Sequence, residues 1–136
     1  MKQFAMAEWE RAQRSLASAR KLAQADSDSA ASRAYYAAFH ALTARFALHG
    51  QAFTKHSAIR AALHRDLVQP GLLSKENGQA FDFLMDLRET GDYGGIAQVS
   101  AESAKLAVRK AEAFMAAVGA LCPALDGITH DSDPPA

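Results

Sequence analysis

The sequence contains a single cysteine, Cys122, in 136 residues. One cysteine cannot form an internal disulfide, and without a second cysteine nearby there is no Cys-x-x-Cys pair to hold a metal ion. Small secreted domains usually depend on disulfides, so this composition is typical of a reducing compartment. We therefore expect a cytoplasmic protein.

Long apolar runs are also absent. No stretch approaches the ~20 consecutive apolar residues that a membrane-spanning helix requires. The first residues include Glu8, Glu10, Arg11 and Arg14, at positions where a secretory signal would be apolar. Both absences predict a soluble protein with no membrane partner.

The chain has no excess of charge, because its 15 Lys and Arg balance its 15 Asp and Glu. This balance argues against a protein that coats nucleic acid or membranes through bulk electrostatics. Acidic residues are nevertheless missing from Ser29 to Arg65, a window that holds several cations and four histidines: Arg33, Arg45, Lys55, Arg60, Arg65, His40, His49, His56 and His64. The window predicts either a local basic surface or an ordinary solvated helix face.

Strand-like alternation of apolar and polar residues is missing over any useful length. Without a strand that leads into a glycine-rich loop, the chain has neither the Rossmann fingerprint nor the P-loop of nucleotide-binding proteins. No His-Glu-x-x-His motif is present, and His56 and His64 are eight residues apart. We predict no metal site.

Helical periodicity dominates the chain, with apolar residues at spacings of three and four. It predicts helices at residues 3–25, 29–48, 55–68 and 75–90, and a last helix from its cap Ser100 to Cys122. The expected fold is all-α, a five-helix antiparallel bundle in one domain over residues 1–122. Gly91 is expected to end the fourth helix before a loop at residues 92–95. Residues 123–136 are acidic and proline-rich and are predicted to form a disordered tail.

The second predicted helix carries the most informative residues. Tyr35, Phe39, Leu42 and Phe46 form its core stripe, and Arg33, Tyr36 and His40 lie on a neighbouring stripe. Arg33 and His40 are seven residues apart, almost two turns, so they fall within about 20° of each other around the axis. A permanent cation and a side chain that titrates near neutrality therefore share a face, as the binding or cleavage of a phosphodiester requires. From spacing alone, a structural role for such a pair is the commoner outcome.

In the segment Ser32–Ala41, with its Arg-x-Tyr-Tyr-x-x-Phe-His core, the chain resembles the HEPN superfamily, whose motif is an arginine, four to six residues, and a histidine on one helix. Two downstream elements strengthen the resemblance: His56-Ser57 at the start of the next helix, and Arg88-x-x-x-Asp92-Tyr93. The resemblance covers residues 29–93 by motif and the whole chain by helix count.

This resemblance implies a five-helix bundle that forms a homodimer, with two Arg/His helices in one cleft. The apolar stripes of the first and last helices are also compatible with pairing. It further implies a metal-independent endoribonuclease that uses no cofactor, with RNA as substrate. Several such proteins are toxins encoded beside a small nucleotidyltransferase that acts as antitoxin.

In that interpretation Arg33 and His40 are the catalytic residues, and six others support them or bind substrate: Ser32, Tyr36, His56, Arg88, Asp92 and Tyr93. Tyr36 is expected either to stack on a base or to pack at the dimer seam. His56 is either a second titrating group or a residue that satisfies a helix end. Asp92 is expected to pair with Arg88 or to cap the turn, with Tyr93 covering it.

An alternative function is a non-catalytic HEPN module that binds a nucleotide, RNA or a partner protein through the same cleft. Ala34 favours this alternative, because active nucleases of the superfamily usually carry a polar residue directly after the arginine. Members that a nucleotidyltransferase modifies carry a tyrosine two residues after the histidine, where this chain has Leu42.

Overall fold

The computed structural model describes residues 1–93 and 98–125, and its regular elements in these ranges are all helical. They are α1 (Lys2–Leu22), α2 (Ser27–Leu48), α3 (His56–Ala62), which continues directly into a π-helical segment (Leu63–Val68), α4 (Lys75–Tyr93) and α5 (Ala101–Ala120). The predicted all-α fold of five helices is confirmed. None of the described helices is long and apolar enough to cross a membrane.

Helix α2 lies at the centre of the bundle and packs on α1, α4 and α5. Only four residues separate α1 from α2, so the two helices form an antiparallel hairpin. The turn is stabilised where the Asp26 side chain accepts a hydrogen bond from the Ser29 backbone N–H at 3.2 Å. This hairpin brings the start of α1 beside the second half of α2.

Alanine lets the helices approach α2 closely. The fully buried positions of α2 include eight alanines: Ala30, Ala31, Ala34, Ala37, Ala38, Ala41, Ala44 and Ala47. The larger buried groups lie on three different helices, Tyr35 on α2, Phe81 on α4 and Phe114 on α5. Of the predicted α2 core stripe, Phe39 alone is only partly buried. The Phe39 ring instead packs against the edge of the core.

Helix α4 is longer than the sequence predicts, because Gly91 lies inside it rather than at its end. A Cβ at position 91 would lie 3.1 Å from the Asp28 carbonyl oxygen, at the start of α2. Glycine therefore permits the close approach of two backbones instead of ending the helix. The predicted loop at residues 92–95 overlaps the helix at residues 92 and 93, and its remaining positions lie outside the described residues.

Packing also continues past the predicted domain boundary at residue 122. Leu125 is fully buried, and its backbone N–H donates to the Cys122 carbonyl at 2.9 Å. Residues 126–136 lie outside the described residues, so the disordered tail stays a prediction.

Replacing Gly91 by valine is expected to lower the free energy of unfolding by about 1–3 kcal/mol, because the added carbons meet the Asp28 backbone, which cannot give way like a flexible side chain. Glu89→Val is the matched control, since Glu89 is exposed on the same helix. The control changes only helix propensity, within ~0.7 kcal/mol. Urea unfolding of both variants measures the difference, and equal midpoints would contradict the close approach.

Candidate functional site

Arg33 and His40 both lie on α2, about 10 Å apart along its axis. Arg33 is exposed, and no acidic side chain among the described residues forms an ion pair with it. The His40 side chain is only 20% exposed. Ser32 is half-buried beside Arg33. The helix thus presents a free guanidinium toward its N-terminal half and a partly sheltered imidazole two turns later.

Glu8 of α1 is the partner of His40. Its Oε1 lies 3.1 Å from His40 Nδ1, and its side chain is only 7% exposed. Arg11 Nη1 lies 3.5 Å from the other carboxylate oxygen. Among the described residues Glu8 is the only buried residue with a charged side chain.

The sequence contains a signal for Glu8, although none of the motifs described above includes this residue. Glu8 follows Ala5 by three residues and precedes Ala12 by four, so it lies within the apolar stripe of α1. Both alanines are fully buried. An acid on a buried helical stripe requires a hydrogen-bonding partner, and the partner is the histidine of the motif.

His56 lies beside the same region and is held by aromatic residues of α2. Its Nδ1 is 2.7 Å from the Tyr35 hydroxyl, and its ring stacks on Phe39 with centroids 4.5 Å apart. Burial lowers the pKa of His56, and the positive charges of Arg88 and His40 lower it further. His56 is therefore neutral at neutral pH, and its ring serves as part of the packed wall next to His40.

Arg88 of α4 connects the aromatic residues to Asp92. Its Nη2 donates to the Tyr36 hydroxyl at 3.2 Å, and its Nε donates to Asp92 Oδ2 at 3.1 Å. The guanidinium carbon lies 5.3 Å from the centroid of the Tyr36 ring, within the range of a cation–π interaction. The expected pairing of Asp92 with Arg88 is thus present, whereas the side chain of Tyr93 lies outside the described residues.

Tyr36 completes the group, because its ring lies 6.0 Å from His40 and 5.9 Å from His56. We call Glu8, Tyr36, His40, His56 and Arg88 the His40 cluster. Helices α1, α2, α3 and α4 each contribute at least one of its members. The fold brings these residues together, while Arg33 lies outside the network of contacts and remains open to solvent.

Ala34, directly after the arginine, is fully buried against the other helices. A polar side chain at this position would therefore enter the core of this bundle rather than the cluster. Having alanine rather than a polar residue at position 34 therefore removes no functional group from the His40 cluster. Its identity is explained by packing.

The His40 cluster and the neighbouring Arg33 can together perform acid–base chemistry on a bound anion. His40 can exchange a proton, and the exposed Arg33 can bind phosphate oxygens through its planar fork. No group of three or more His, Cys, Asp or Glu side chains within residues 1–93 and 98–125 is arranged to hold a metal ion. The described groups suit proton transfer and anion binding.

Comparison with known proteins relates this chain to a domain family and to a bacterial protein. A family model described as HEPN domain matches residues 6–121. A protein of Thermotoga maritima described as a UPF0332 protein is 39% identical over 90 residues, which cover 66% of this chain and 68% of that protein. The range of the family match includes Arg33 and the whole His40 cluster.

Proposed function

Because this chain belongs to the HEPN domain family, we propose that it is a metal-independent endoribonuclease whose catalytic residues are Arg33 and His40. One observation carries the proposal. A half-buried histidine, hydrogen-bonded to a buried carboxylate, shares a helix face with an arginine that no described acid neutralises. A titrating group and a free cation are the two requirements for cleaving RNA through its own 2′-hydroxyl.

In the proposed reaction, neutral His40 takes the proton from a ribose 2′-hydroxyl, and the oxygen attacks the adjacent phosphorus. Arg33 binds the non-bridging oxygens and stabilises the negative charge that develops on them. The P–O5′ bond breaks, and the leaving oxygen receives a proton from a second His40 in its protonated form. The products end in a 2′,3′-cyclic phosphate and a 5′-hydroxyl, and DNA does not react because it has no 2′-hydroxyl.

A second His40 requires a second copy of the chain, so the proposal includes a homodimer with the two α2 helices at one cleft. The dimer gives each scissile phosphate one neutral and one protonated imidazole. In a monomer, a group other than a second His40 would have to donate the proton to the leaving oxygen.

We further propose that the protein is the toxin of a two-gene module whose antitoxin is a nucleotidyltransferase-type protein. Leu42, at the position where modified family members carry a tyrosine, is fully buried and has no hydroxyl to modify. Such an antitoxin would therefore act on this chain by binding, or at another residue. The support for this part is the family resemblance.

Expression of the full chain in a bacterial host without an antitoxin tests the function. We expect growth arrest and cleaved RNA with the wild-type chain and normal growth with Arg33→Ala. Arg33 is exposed, so its loss leaves folding intact. Arg65→Ala is the matched control, because Arg65 is exposed near the other end of the bundle and pairs with Asp66; it should arrest growth like the wild type.

The alternative function is a binding module that does not cleave. It draws support from Tyr36 and Arg33, since an aromatic ring and a free guanidinium can hold a nucleotide without proton transfer. Tight binding of RNA by the purified protein, together with intact RNA and normal growth, would favour this alternative over the nuclease.

A further inference from the structure

Glu8 is a buried carboxylate with few partners. Its side chain is only 7% exposed, and its described contacts are the His40 imidazole at 3.1 Å and the Arg11 guanidinium at 3.5 Å. The Arg11 side chain is 60% exposed, so water screens that ion pair strongly. Because a buried charge is costly unless it is hydrogen-bonded, the contact with His40 is the one that compensates for the burial of Glu8.

The chemistry of the contact determines where His40 carries its proton. An ionised carboxylate only accepts hydrogen bonds, and a neutral imidazole has one N–H and one bare nitrogen. Nδ1 faces Glu8, so when Glu8 is ionised the hydrogen belongs on Nδ1. The opposite tautomer would direct the Nδ1 lone pair at a carboxylate oxygen 3.1 Å away.

No other described neighbour of His40 competes for this role. The rings of Tyr36 and Phe39 lie 6.0 and 5.6 Å from the His40 ring, between centroids, and they contribute packing. His56 is occupied by its hydrogen bond with Tyr35. Within the described residues, Glu8 alone forms a hydrogen bond with His40.

We propose that Glu8 is a positioning residue that fixes neutral His40 as the Nδ1–H tautomer, so that Nε2 is the nitrogen that exchanges protons with substrate. The catalytic use of this tautomer rests on the proposed nuclease function, whereas the tautomer itself does not. A carboxylate that orients a catalytic histidine in this way is worth up to about 10⁴-fold in rate when its loss permits the wrong tautomer. Glu8 acts through His40 and does not touch the RNA.

The test is the nitrogen-15 NMR spectrum of the neutral His40 ring in the full chain without RNA. We expect a protonated Nδ1 and a bare Nε2 in the wild type, and a majority of the Nε2–H form in Glu8→Met, which keeps an unbranched side chain but has no acceptor oxygen. Glu10→Met is the matched control, since Glu10 is exposed two residues further along α1; it should leave His40 unchanged. An Nε2–H form in the wild type, or the same tautomer in Glu8→Met, would overturn the proposal.

Folding does not compromise this test. Glu8→Met leaves a neutral imidazole rather than an unpaired buried charge, so the expected loss of stability is that of one buried hydrogen bond, less than the stability of a domain of this size. If Glu8→Met nevertheless fails to fold, the wild-type spectrum alone decides the tautomer, and Glu8→Gln supplies a second variant of nearly the same shape. In that variant the side-chain NH₂ can donate to Nδ1, so we expect a mixture of the two tautomers.

Kinetics then separate this inference from the proposed function. We expect Glu8→Met to lower kcat for RNA cleavage by about 10²- to 10⁴-fold, with KM changed less than about twofold because Glu8 makes no substrate contact. A wild-type kcat in Glu8→Met would overturn the role of Glu8 while the nuclease stands. A wild-type protein that cleaves nothing would overturn the nuclease and the catalytic use of Glu8 together, and the spectrum would still decide the tautomer.

Discussion

His40→Asn is expected to lower the rate of RNA cleavage by about 10²- to 10⁴-fold while the protein stays folded. An asparagine amide can still donate a hydrogen bond to Glu8 from nearly the position of Nδ1, so the buried carboxylate keeps its partner. The amide does not titrate, however, and can neither take the 2′-hydroxyl proton nor return one to the leaving oxygen. The loss should appear in kcat, because the interaction strengthens only in the transition state.

His40→Ala provides the contrast. It removes the proton-transfer group and also the described hydrogen bond of the buried Glu8, so it should lose the same activity and in addition about 1–3 kcal/mol of stability. Steady-state cleavage of a short fluorescent RNA and thermal unfolding measure the two effects separately. Activity within tenfold of the wild type in His40→Asn would show that His40 is not the acid–base group.

The second large effect is on stability, and it comes from Tyr35. This side chain is fully buried and contacts His56, Phe39 and Phe81. Tyr35→Ala is expected to cost about 3–5 kcal/mol, because it leaves a cavity under the site. Since a domain of this size has only about 5–15 kcal/mol of stability, the variant should be partly unfolded or close to it.

Tyr35→Phe isolates the hydroxyl. Burial raises the pKa of the Tyr35 phenol above its usual range, so the group stays protonated and bonded to His56 at 2.7 Å. Removing the hydroxyl leaves the His56 imidazole nitrogen without its hydrogen-bond partner. We expect this to lower the free energy of unfolding by about 1–3 kcal/mol. Tyr36→Phe is the control. Arg88 keeps its hydrogen bond to Asp92 in that variant, so the free energy of unfolding should fall by only about 1 kcal/mol. Equal losses in the two Phe variants, measured by urea unfolding, would contradict the structural role given to Tyr35.

Much of this arrangement is visible in the sequence, because helical spacing alone decides which residues share a face. The spacing of Tyr35, Leu42 and Phe46 predicts the buried side of α2, and all three are at most 2% exposed. The pairing of Arg88 with Asp92 is one of the two roles that the sequence predicts for Asp92, although the sequence places Asp92 in a loop and the structure places both residues on α4. Such contacts within a helix need no knowledge of the tertiary structure.

Two features that the sequence alone does not predict depend on contacts between helices. Glu8 finds His40 only when α1 folds back on α2, and Gly91 is explained only by the Asp28 backbone. The π-helical segment after Ala62 has no motif of its own. Residues far apart in the chain determine the contacts of Glu8 and Gly91, so periodicity within one helix cannot predict them.

Burial also changes the interpretation of two residues that depart from the family pattern. Ala34 and Leu42 are both fully buried on α2. In the sequence, Ala34 favoured a module without activity, but its side chain packs in the core and contributes nothing to the surface near His40. Ala34 therefore does not distinguish a nuclease from a binding module, and the choice between these two functions depends on Arg33, His40 and Glu8.

We propose, above all, that Arg33 and His40 cleave RNA through the 2′-hydroxyl without a metal ion. The most direct measurement is the chemical analysis of the RNA ends produced by the purified chain in excess EDTA. We expect 2′,3′-cyclic phosphate and 5′-hydroxyl ends, and no cut at a site whose ribose is replaced by 2′-deoxyribose. Intact RNA under these conditions, or cleavage at the 2′-deoxy site, would contradict it.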